Sequence, residues 1–92
     1  MKTFGAYLRK AREEKELPLR KVAAVLDIDT SILSKIERSE RKANIEMIPL
    51  LSNILDIPIK ELQIQFIRSV VMSELGDLEF LKIGLKKTLV EL

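Results

Sequence analysis

Apolar positions recur three and four residues apart along the whole chain, and no stretch of any length alternates with period two. The pattern predicts six helices and no strand. Phe4, Leu8, Ala11 and Lys15 share one face of a first helix over roughly Thr3 to Lys15, with Thr3 as its N-cap. Pro18 opens a second helix that runs to Leu26, at a position where a missing N–H costs nothing, with Val22, Ala23 and Leu26 inward. Asp27-Ile28-Asp29 breaks it. Asp29 caps a third helix over about Thr30 to Arg38, in which Leu33 and Ile36 share a face and Ile32 lies partly off it. Ser39 to Asn44 is polar and reads as a loop. A fourth helix covers about Ile45 to Leu55, and Asp56-Ile57-Pro58 turns into a fifth over about Pro58 to Leu75. Gly76 stops that helix, and Asp77 caps a sixth over about Leu78 to Val90. Every join is short, so neighbouring helices are expected to pack compactly. The expected fold is all-α, with five helices and an additional C-terminal one.

Composition narrows the function more than the fold. With 92 residues, 47% apolar and 33% charged, the chain suffices for one packed core and is too apolar for a disordered tail. It has no Cys and no His, which removes the thiol nucleophile, the usual general base and the softest metal ligands. No catalytic residue, metal site or cofactor is expected, and Asp56, Glu61 and Glu74 read as surface helix charges. Aromatics make up 4% and Trp is absent, too little π surface for a single-strand stacking platform. The longest apolar run is Val22 to Leu26, so no membrane span is expected. Met1-Lys2-Thr3 leads into a charged segment rather than an apolar one, so no signal peptide is expected, and the absence of Cys is compatible with the cytoplasm.

The net charge of +2 conceals an asymmetry. Residues 1–42 carry 11 Lys/Arg against 7 Asp/Glu, whereas residues 43–92 carry 5 against 7. A basic front half suggests an anionic partner at one end, although cations that merely solvate helices give the same count.

Two short helices joined by a three-residue turn, inside a five-helix pattern, are the layout of a helix-turn-helix. Ala23 allows the two helices to approach closely, and Ile28, Leu33 and Ile36 complete a small core. The stretch from about Tyr7 to Leu62 resembles the phage repressor/Cro-like, XRE-type helix-turn-helix family. The resemblance is carried by Leu8-Arg9-Lys10-Ala11-Arg12, by Val22-Ala23, and by Ile28-Asp29-Thr30-Ser31-Ile32-Leu33-Ser34-Lys35-Ile36-Glu37-Arg38. Leu33 to Arg38 is the most specific piece, and Leu50 to Leu55 with Asp56-Ile57-Pro58 fit the family's closing helices. Asp27 stands where the family has Gly, at a left-handed turn position that Asp tolerates better than most residues, and Ser39 replaces a usual Gly. Pro18 and Leu19 stand where the family commonly has a Ser or Thr cap and a Gln that buttresses a phosphate contact, which leaves Arg20 or Lys21 to compensate.

The resemblance implies sequence-specific binding of duplex DNA, with the third helix in the major groove. Thr30, Ser31, Ser34 and Lys35 are then the base-edge candidates, and Lys35 can donate to guanine O6 or N7. Arg20, Lys21, Arg38, Arg41 and Lys42 are the phosphate candidates. Arg12 and Glu37 correspond to a family pair that bridges the first helix to the end of the third.

The C-terminal third lies outside the resemblance. Ile59, Leu62, Phe66 and Val70 form one stripe of the fifth helix, and Ile64, Ile67, Val71 and Leu75 form a second. The sixth helix repeats this with Leu78, Leu81, Leu85, Leu89 and Leu92 against Phe80, Ile83 and Val90. One stripe per helix would cover a monomer core. The second set, Ile64, Ile67, Val71, Leu75, Leu78, Leu81, Leu85 and Leu89, points to a homodimer interface, unless both helices fold onto their own domain. The expected division is residues 1–67 for the DNA-binding domain and 68–92 for a C-terminal helical extension. The readings left open are a dimeric repressor at a palindromic operator, a restriction–modification controller or antitoxin of the same biochemistry, and a protein-interaction module that has lost DNA binding. No small-molecule effector is expected.

Overall fold

The computed structural model describes residues 3–92. Six helices follow one another: α1 (Phe4–Glu14), α2 (Leu19–Leu26), α3 (Thr30–Glu37), α4 (Met47–Leu55), α5 (Ile59–Leu75) and α6 (Leu81–Glu91). There is no strand among the described residues, so the fold is all-α, with five repressor-like helices and an additional C-terminal one. None of these helices is long and apolar enough to cross a membrane.

Helix α2 packs on α3 and α4, α1 on α3 and α5, and α4 on α5. The inner faces close a core of Phe4, Leu8, Val22, Ala23, Leu26, Leu33, Ile36, Ile48, Leu51, Leu55 and Leu62. Phe66 extends it at the margin, meeting Phe4 edge-on with ring centroids 5.4 Å apart. No buried apolar residue lies beyond Leu62.

The first four helices end in the same way. Glu16, Asp27, Ser39 and Asp56 have φ of 54°, 56°, 62° and 54°. Past each, an N–H reaches back five residues: Leu17 to the Arg12 carbonyl, Ile28 to Ala23, Glu40 to Lys35 and Ile57 to Ser52, at 2.8–3.1 Å. At α1, α2 and α3 the left-handed residue's own N–H also bonds three residues back, to Glu13, Ala24 and Ile36, which completes the Schellman closure without a single glycine. It turns the chain sharply enough for three short helices to share one core.

Several boundaries differ from the sequence expectation. Helix α4 begins at Met47 rather than Ile45, because Asn44 to Ile48 first pass through three-residue turns, Met47 N–H to Asn44 O and Ile48 N–H to Ile45 O. Thr3 caps α1, accepting from the Ala6 N–H at 3.1 Å, whereas Asp29 occupies the N-cap position of α3 without a side-chain bond. Gly76 ends α5 with a right-handed backbone. Residues 76–80 then turn through Leu78 N–H to Leu75 O and Leu81 N–H to Leu78 O, so α6 starts at Leu81 with Phe80, not Asp77, at its N-cap. The expectation of compact packing fails for α6. It buries no residue, and the molecule extends 42 × 24 × 21 Å.

Candidate nucleic-acid interface

Helix α2 starts after Pro18, whose ψ of 150° keeps it extended, and it ends at left-handed Asp27. Ile28 follows, and Asp29, again extended, launches α3. Ala23 is 1% exposed and sits where α2 meets α3, so a larger side chain there would separate them. Val22 and Leu26 on α2, with Leu33 and Ile36 on α3, bury the facing sides. The outer side of α3 is thereby left to solvent.

At 100° per residue, Thr30, Ser34, Arg38, Ser31 and Lys35 fall within an arc of about 140° on α3 and its C-cap. Thr30, Ser31, Lys35 and Arg38 are exposed, and Ser34, inside the arc, is half-buried. The first two N–H groups of α3 have no partner among the described residues; the Asp29 carbonyl takes those of Ile32 and Leu33. Helix α2 likewise has no side-chain cap. Both helices therefore present open N-termini, which favour anions.

Arg20 and Lys21 are exposed on α2, and Arg41 and Lys42 are exposed in the loop after α3. Arg20, Lys21, Lys35 and Arg41 make no ion pair among the described residues, whereas Arg38 pairs with Glu40 at 2.8 Å and Lys42 pairs with Glu74 of α5. Solvated pairs of this kind contribute ~0–1 kcal/mol, so a competing anion can displace either carboxylate. Sequence reasoning missed both partners. Glu40 lies two residues from Arg38 and was open to inspection, but Glu74 is 32 residues from Lys42 and only the fold brings it near.

Arg12 and Glu37 do meet. Arg12 Nε donates to Glu37 Oε2 at 2.7 Å and Nη2 donates to Oε1 at 3.0 Å, while Nη1 donates to the Leu17 carbonyl at 2.9 Å. The two side chains are 14% and 5% exposed. Hydrogen bonding to Glu37 holds the Arg12 guanidinium above its ordinary range, against burial, which pulls it down. One side chain thus ties α1, the α1–α2 connection and the end of α3 together.

Gly5, which the sequence did not mark, makes a second such contact. A Cβ there would stand 2.1 Å from the Ile36 carbonyl oxygen and 2.8 Å from that of Glu37. The start of α1 is therefore pressed against the backbone at the end of α3. Ser39 adds a tether, donating from its hydroxyl to Thr3 Oγ1 at 2.7 Å.

Neither the curated proteins nor the solved structures compared with this chain give a match. The helix-turn-helix family model matches residues 8–62, more than half of the 92-residue chain, and spans α2, the turn and α3 together with the helices that support them. The chain belongs to the Xre/Cro-like helix-turn-helix family of DNA-binding regulators.

Proposed function

We infer that the chain is a transcriptional repressor that binds a palindromic operator in duplex DNA as a homodimer, in the cytoplasm. The observation that carries this reading is the polar arc on α3, flanked by unpaired cations on α2 and the following loop. Thr30, Ser31, Ser34 and Lys35 read base edges, with Lys35 donating to guanine. Arg20, Lys21, Arg38, Arg41 and Lys42 contact phosphates, the last two arginine and lysine positions from the loop. Arg12 and Glu37 do not read DNA; they fix the angle of α3. A restriction–modification controller and an antitoxin would use the same surface in the same way.

On this reading, residues 1–67 form the DNA-binding domain and residues 68–92 the dimerisation extension. Ile64, Ile67, Val71 and Leu75 on α5 continue into Leu78, Leu81, Leu85 and Leu89, and all but Val71 and Leu81 are exposed in the single chain. A palindromic operator requires two recognition helices about 34 Å apart, one turn of DNA, and pairing two chains is how this reading supplies them. Selection of bound duplexes from a random pool tests the proposal. The expected product is a palindrome whose half-sites lie about one turn apart and contain guanine. A pool that stays unenriched contradicts it.

A further inference from the structure

Helix α6 has little of its own to hold it. It is 11 residues long and buries none of them, and its N-cap Phe80 makes no side-chain bond. Isolated helices below roughly 12–15 residues are marginal in water. Its charges are badly placed as well. Lys82 lies in the first turn and Glu91 in the last, each the wrong sign for the helix dipole, and Lys82 and Lys86 are like charges four residues apart. Gly84 sits in the interior and faces open space. Yet α6 carries Ile83, Leu89 and Val90 at 55%, 67% and 87% exposure, and Ile67 and Met72 of α5 are exposed as well.

The surface area indicates what covers it. The chain exposes 6861 Å², whereas a compact monomer of 10.6 kDa exposes about 5,500 Å². Its radius of gyration is 14.4 Å, against about 12 Å for a compact domain of this length. The surplus of about 1,400 Å² exceeds the ~800 Å² per partner of a standard interface and falls in the range of obligate homodimers. Apolar residues lie on several sides of α6, more than one face of its own chain could cover.

We propose that a second copy of this chain covers α6 and the distal half of α5, and that α6 becomes helical only when that copy is in place. Helix formation and assembly are then one step. The proposal rests on the dimer reading above and adds to it that the free monomer lacks α6.

Light-scattering mass and far-ultraviolet circular dichroism on the same samples of the full chain, over a dilution series, test it. As the mass falls from two chains to one, the helical signal falls by about a sixth, since α6 supplies 11 of the 64 helical residues. Leu85→Asp is monomeric at every concentration, shows the same loss, and keeps the melt that the wild-type chain has once diluted to a monomer, because Leu85 does not belong to the α1–α5 core. It still retains duplex DNA at low salt through α3. Dissociation with the helical signal intact overturns the coupling and spares the dimer. A wild-type chain that is monomeric throughout, or a Leu85→Asp variant that stays dimeric, overturns the proposal, while duplex retention reports separately on the DNA-binding reading.

Discussion

Arg12 grips Glu37 through two parallel hydrogen bonds, at 2.7 and 3.0 Å, across 25 residues of chain. The planar guanidinium fork matches the carboxylate, and the Leu17 carbonyl occupies a third donor. The pair is nearly out of water, so removing one partner strands the other. Arg12→Ala and Glu37→Ala should each cost about 3 kcal/mol in denaturant melts. The double variant should fall short of the sum by about 1–3 kcal/mol. Strict additivity would show that the pair contributes no coupling.

Gly5→Ala should destabilise the fold although it improves helix propensity. The propensity gain is about 1 kcal/mol. The new methyl group would have to displace the Ile36 and Glu37 carbonyls, which belong to backbone and cannot swing away. A net loss of about 3 kcal/mol is expected from such overpacking. Since the displaced carbonyls end α3, duplex binding should weaken even where the variant stays folded. A variant as stable as the parent would mean that α1 is free to back away from α3.

Glu16→Gly should act in the opposite sense. Glu16 holds a left-handed backbone at φ 54° that costs an ordinary side chain ~1–2 kcal/mol, whereas glycine adopts it freely. The expected gain in the denaturant midpoint corresponds to about 0.5–1 kcal/mol. Asp27→Gly should gain less, because Asp tolerates this region better than Glu. A loss at Glu16 would place the strain elsewhere.

These residues also divide what was legible in the sequence from what was not. The sequence marked Ser39 only as replacing a usual Gly and did not mark Glu16 or Asp56 as left-handed. Asp27 could be read as a left-handed turn position because the requirement is local, set by where one helix stops and the next begins. The helical periods were legible for the same reason. Gly5 was not, because its constraint comes from carbonyls more than 30 residues away. Lys42 reads locally as a free loop cation, and only the fold brings Glu74 to it. Asp77 carries a good capping signal, yet the chain after Gly76 spends residues 76–80 on successive three-residue turns and α6 begins beyond its reach. The double stripes on α5 and α6 showed surplus apolar surface but not its location. An amphipathic face has the same spacing whether its own core or another chain covers it.

The central claim is that the outer face of α2 and α3 holds duplex DNA, and its most direct measurement is a salt titration of duplex binding for the parent, Arg41→Ala and Lys35→Ala. The parent affinity should fall linearly on a log–log plot, with a slope of about −0.9 for each phosphate contacted. Arg41→Ala should weaken selected and random duplexes alike and shallow that slope by about 1. Lys35→Ala should instead relax discrimination between them by roughly 1–3 kcal/mol. If the parent retains no duplex even at low salt, the account is contradicted, and the fold serves as a protein-interaction module instead.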